Sequence, residues 1–77
     1  MITKEMIIAG NLPLTGKFIQ KFSQNGVCLT YYGDELTDVT VDGEDICEMF
    51  NIGDDDISLS NRLPDEAFDY LVNRING

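Results

Sequence analysis

Seventy-seven residues, 43% of them hydrophobic, suffice for one small domain with a thin core and are too apolar for a disordered chain. A formal net charge of −9, from 14 acidic against 5 basic residues, disfavours direct contact with a phosphate backbone. No apolar run approaches the roughly 18 residues of a membrane span, and Met6-Ile7-Ile8-Ala9 is too short for a signal peptide's apolar centre. A cytoplasmic protein that binds neither membrane nor nucleic acid directly is expected.

In chain order, the Ile-rich stretch Glu5 to Gly10 reads as a first strand. Asn11 to Gly16 is a loop marked by Pro13 and Gly16. Lys17 to Ser23 alternates, with Phe18, Gln20 and Phe22 on one face and Lys17, Ile19 and Lys21 on the other. Asn25-Gly26 is a strong hairpin signal because both residues tolerate positive φ. Val27 to Tyr32, β-branched and aromatic, is the return strand. Adjacent strand residues face opposite ways, so one of Tyr31 and Tyr32 belongs to the core and the other to the surface. Gly33-Asp34 turns the chain again. Glu35 to Val41 then alternates, with Glu35, Thr37, Val39 and Val41 on one side and Leu36, Asp38 and Thr40 on the other.

The period changes after Val41. Asp42 can cap a short helix, with Asp45 three residues on, and Ile46, Met49 and Phe50 follow at i, i+3, i+4. Gly53 is a candidate stop. Asp54, Asp55 and Asp56 lead into a loop carrying Ile57 and Leu59. Pro64 suits a first helical position, and Asp65 and Glu66 suit a first turn. Phe68, Leu71, Val72 and Ile75 form one apolar helix face over residues 64–75. The expected fold is α+β: an antiparallel meander of three or four strands packed against a C-terminal helix, with one additional short helix.

The chemistry is defined mainly by what is missing. There is no histidine, hence no common general base and no Cys/His zinc set. No glycine-rich phosphate loop is present. Paired carboxylates could do acid–base work only in a dry pocket, which so small a domain seldom offers. From Asp38 the order Asp-x-Thr-x-Asp-Gly imitates the start of a calcium loop, but Met49 stands where the bidentate Glu is needed. Loose Ca²⁺ or Mg²⁺ contact at Asp54 to Asp56 is the remaining metal reading. Cys28 sits in a β-like run and Cys47 in a helical one. With no Lys or Arg near either in sequence, both read as small buried hydrophobes. No enzymatic activity and no cofactor are expected.

The charge is unevenly spread. Residues 1–33 hold three lysines against one glutamate, a balance of +2. Residues 34–56 hold ten carboxylates and no basic residue, and residues 57–77 hold two arginines against three carboxylates. The candidate partner-binding residues are therefore Asp34, Glu35, Asp38, Glu44, Asp45, Glu48, Asp54, Asp55 and Asp56. In size and charge the chain is similar to small phage- or plasmid-encoded inhibitors, DNA mimics among them, and to bacterial immunity proteins. That likeness is one of general character and covers no defined motif. Two readings follow. One is an acidic inhibitor or decoy of a basic nucleic-acid-handling protein, such as a nuclease or defence complex. The other is a regulatory or scaffolding domain that binds through a sheet edge or an apolar patch. Neither reading sets the oligomeric state.

Overall fold

Thr3 and Gly10 bracket the first element, and together they make it a helix. A computed structural model describes residues 1–53 and 58–77 and places α1 at Lys4–Ala9. The Thr3 hydroxyl accepts from the Met6 N–H at 3.3 Å. Gly10, at φ 70°, ends the helix, with the Gly10 N–H donating to Ile7 and the Asn11 N–H to Met6. The strand expected over residues 5–10 is thus a helix. Ile favours strands only weakly, and caps plus packing outweigh that preference. Six residues are too few for a stable isolated helix, so tertiary contacts hold it. Ile7 is fully buried. Lys4 pairs with Asp65 at 2.7 Å and lies 5.1 Å from the centre of the Phe68 ring. The Ile2 backbone exchanges two hydrogen bonds with the Asn76 side chain.

Four antiparallel strands follow in the order β1-β2-β3-β4: Ile19–Gln24, Val27–Tyr32, Glu35–Val41 and Glu44–Asp45. Their turns need positive φ. Asn25 and Gly26 adopt 51° and 84°, the type I′ pattern that matches strand twist. A side chain at Gly26 would meet the Asp42 carboxylate at 2.3 Å, so Asp42 would have to shift, and with it the bond to Arg74. Asp42 and Gly43 repeat the pattern at 53° and 86°. Asp42 is therefore a turn residue rather than the expected helix cap. Asp45 caps α2 (Ile46–Met49) instead, accepting from the Cys47 N–H at 2.9 Å. Asn51, at φ 53°, follows the end of α2, where Gly53 was expected to stop it.

One irregularity reassigns a face. β2 and β3 slip register between Thr30 and Tyr31, so Thr30 faces Asp38 while Tyr31 faces Leu36. Thr37 is the extra residue, and its hydroxyl donates to the Thr30 carbonyl at 3.1 Å. Strict alternation puts Leu36 with Asp38 and Thr40. The bulge instead turns Leu36 inward with Val39 and Val41 and leaves Glu35, Thr37 and Asp38 exposed. Phe18 and Phe22, expected on one face, part company: Phe22 is buried in β1, whereas Phe18 lies before the strand and is 80% exposed.

The inner sheet face and the helices share one core. Phe22, Leu29, Tyr31, Leu36 and Val39 meet Ile7, Ile46, Leu59 and the inward side of α4 (Asp65–Asn76), which contributes Ala67, Phe68, Leu71 and Ile75. Pro64 precedes α4 by one position instead of starting it. The additional turn α3 (Leu59–Arg62) buries Leu59 where a loop was expected. The last turn of α4 is tied to the first hairpin. Gln24 and Asn25 both donate to the Ile75 carbonyl, and Arg74 donates to Asn25 and to Asp42.

Tyr31 is fully buried and its hydroxyl donates to the Ile7 carbonyl at 2.5 Å, joining sheet to α1. Burial pushes its pKa up to about 12. Tyr31→Phe leaves Ile7 with only the longer 3.3 Å bond from Gly10, and a loss of about 1–2 kcal/mol in denaturant unfolding is expected. The raised pKa means the folded state keeps a proton that the unfolded state releases above about pH 10. Stability from this group is full below that pH and falls as pH rises toward about 12. The Phe variant should lack this component of the alkaline slope; an unchanged slope would place the hydroxyl in water.

Candidate partner-binding surface

Among the described residues, every acidic position singled out from sequence is exposed: Asp34, Glu35, Asp38, Glu44, Asp45 and Glu48. Asp54, Asp55 and Asp56 lie outside the described residues. The fold does not gather the six into one patch. Asp34 sits in the β2–β3 turn and Glu44 on the short edge strand. Glu35 and Asp38, expected on opposite faces, share the outer face because the Thr37 bulge intervenes.

Asp38, Asp45 and Glu48 do come together. They line a cleft of about 450 Å³ beside the open edge of β3, with Cys47, Ile52 and Arg62 among its other walls. Asp45 lies across from Thr40, two residues along β3 from Asp38, which sets their Cα atoms about 8 Å apart. At that distance two unit charges repel by about 0.5 kcal/mol in water, so the cluster is tolerable without internal neutralisation. Asp45 has a local duty as the α2 cap. Asp34, Glu35, Asp38, Glu44 and Glu48 make no side-chain hydrogen bond or ion pair among the described residues.

Two of the five basic residues are paired away from the cleft, and a third, Arg62, lines it. Lys4 pairs with Asp65, which raises the lysine pKa and lowers that of the carboxylate. Both groups are solvated, so this pair adds little stability. Arg74 pairs with Asp42 at 2.5 Å. Arg62 donates to the Gly53 carbonyl at 3.0 Å. Asp42 and Asp65 thus serve the fold, and they are distinct from the acids lining the cleft.

Cys28 and Cys47 are free and half-buried rather than fully buried. Sequence spacing put no cation near Cys47, yet Arg62 reaches it in the fold. Burial nevertheless pushes this thiol up, Asp45 reinforces the effect, and the opposing pull of Arg62 is smaller. Cys47 is not an activated nucleophile on these terms. Among the described residues, no group of three or more His, Cys, Asp or Glu is placed to hold a metal ion. The Asp38 to Gly43 stretch that imitates a calcium loop is strand and hairpin turn. No helix among these residues is long and apolar enough to cross a membrane.

A second surface was only partly visible in sequence. Phe18 is 80% exposed, Ile19 56% and Tyr32 62%. Ile19 and Tyr32 are direct cross-strand partners on the outer face. The exposure of one tyrosine followed from strand alternation, but that of Phe18 did not.

The arrangement defines an α+β domain with an acidic cleft, in which Arg62 is the one basic wall residue among the described residues, and a separate apolar patch. No family model matches the chain, and neither a curated protein nor a solved structure matches it.

Proposed function

We propose that this protein is an acidic binding module that inhibits or decoys a basic, nucleic-acid-handling partner such as a nuclease or defence complex, in the manner of a DNA mimic. The observation that carries this reading is the division of labour among charges. Lys4 and Arg74 are paired with Asp65 and Asp42, away from the cleft, while three carboxylates, Asp38, Asp45 and Glu48, line it against the single described basic residue Arg62. A fixed array of carboxylates on a folded frame attracts a basic groove over roughly a Debye length, about 10 Å at 0.1 M salt. The reading is one of binding rather than catalysis, in a cytoplasmic setting that two cysteines, too few for a disulfide framework, suit.

The test is capture of the partner from a lysate of the native host at low and high salt, with the retained protein identified. A basic nuclease, polymerase or DNA-binding complex held at low salt and released at high salt supports the proposal. A partner that survives high salt contradicts it and favours the alternative, a regulatory or scaffolding domain. The exposed Phe18, Ile19 and Tyr32 are the observation behind that alternative. There the binding energy would reside in aromatic and apolar contacts and depend little on salt.

A further inference from the structure

The uncovered side of the sheet carries Asp38, Ile19 and Tyr32 in an order that neither reading above explains. The buried helix residues share one core with its inner side, and the outer side carries three rows read straight from the strand register. The first row runs Ile19, Tyr32, Glu35, the second Lys21, Thr30, Asp38, and the third Ser23, Cys28, Thr40. Only the second row is charged at both ends, with Lys21 on β1 and Asp38 on β3; β2 is uncharged throughout. Lys21 forms no ion pair or side-chain hydrogen bond among the described residues. Asp38 likewise has no such bond, and both are exposed.

We propose that two copies of this chain pair through this face, sheet against sheet, about a two-fold axis running along β2. This goes beyond the binding proposal above and does not depend on it. The choice of occupant and axis comes from charge. When two identical faces meet, the two-fold axis lies in the plane between them. An axis across the strands sets β1 on β1, which opposes Lys21 to Lys21 and Asp38 to Asp38. An axis along β2 sets β1 of one copy over β3 of the other. It opposes Lys21 to Asp38 twice, lays Thr30 on Thr30 and Tyr32 on Tyr32, and sets Ile19 of each copy over Glu35 of the other. Stacked sheets lie about 10 Å apart, a gap that a lysine and an aspartate facing each other span. The footprint is modest: three strands about 4.8 Å apart and some six residues long give roughly 300 Å², with Phe18 at the margin. Stable interfaces bury about 800 Å² per partner, so this dimer is weak and exchanges rapidly. Glu35 and Asp38 are engaged in it, and Asp38 also lines the acidic cleft, whereas Asp34, Glu44, Asp45 and Glu48 stay outside; the pairing is measured on the pure protein without a partner, so it and the partner proposal fail separately.

The test is sedimentation equilibrium of the pure protein from low micromolar to about millimolar concentration, without any partner. The wild type should pass from monomer to dimer. Lys21→Glu and Asp38→Lys should each weaken dimerisation at least tenfold, and the double exchange should restore it to within about threefold. All three changes are at exposed positions, and thermal melting should show each variant folded. Asp38→Lys is the sharpest arm. It lowers the net negative charge, so an association governed by overall repulsion would tighten, whereas this geometry requires it to weaken. A wild type that stays monomeric throughout overturns the proposal. So does a tighter dimer in Asp38→Lys, a single variant that dimerises normally, or a double variant that fails to recover.

Discussion

Leu71→Asp is expected to leave the chain unfolded at 25 °C. Leu71 is fully buried on the inward side of α4, between Phe68 and Ile75 in sequence, and it belongs to the core that α4 shares with the inner face of the sheet. Removing a buried leucine's volume alone costs about 2–5 kcal/mol. A carboxylate in its place must either stay ionised without a partner or take up a proton, and both cost more than the cavity. A domain of this size has about 4–12 kcal/mol to lose in total. Far-UV circular dichroism with a thermal ramp should show no cooperative transition. Asn73→Asp, an exposed change two residues away on the same helix, should melt within a few degrees of the wild type. A cooperative, near-wild-type transition for Leu71→Asp would mean that α4 does not pack by this face.

The triple variant Asp34→Asn, Glu44→Gln, Glu48→Gln is expected to slow association with the basic partner about three- to tenfold at low salt. These three residues carry no structural duty that the fold reveals. Asp45 caps α2, Asp42 pairs with Arg74, Asp65 pairs with Lys4, and Glu35 and Asp38 sit on the outer sheet face, so all five are left intact. The substitutions keep side-chain shape and remove like-charge repulsion, so stability should be unchanged or slightly higher. Stopped-flow association across a salt series reads both the rate and its slope. The wild-type rate should fall steeply with salt and the variant rate less so, because screening has fewer charges to act on. If the variant binds as fast as the wild type at low salt, the carboxylates do not steer the encounter and the decoy reading fails.

The expectations that held are those resting on local chemistry over a long enough window. Val27 to Tyr32 and Glu35 to Val41 are strands at the expected bounds, because β-branched runs between turn residues leave little choice. Asn25-Gly26 turns where expected, because few residue pairs accept two positive φ values at so little cost. The C-terminal helix lies within one residue of its expected span because its apolar period is sustained over two turns. Short segments fared worse. Asp42-Gly43 turns the chain as Asn25-Gly26 does, where the sequence reads Asp42 as a helix cap.

The acidic stretch, its lack of basic residues and the exclusion of histidine chemistry are properties of composition, and they needed no coordinates. The fold class followed from periodicity and turn residues for the same reason: both act between neighbours in the chain. Three features came only with the tertiary structure. α1 is a helix because burial of Ile7 and the Tyr31 hydrogen bond hold six residues that the Thr3 and Gly10 caps alone could not keep helical. Leu36 faces the core, and Glu35 and Asp38 share a face, because one extra residue in β3 resets an alternation that sequence reads as unbroken. Asp38, Asp45 and Glu48 meet at a cleft because a two-residue strand returns the chain alongside β3. Such meetings depend on pairing register between separate strands, a quantity that hydrophobic pattern constrains but does not set.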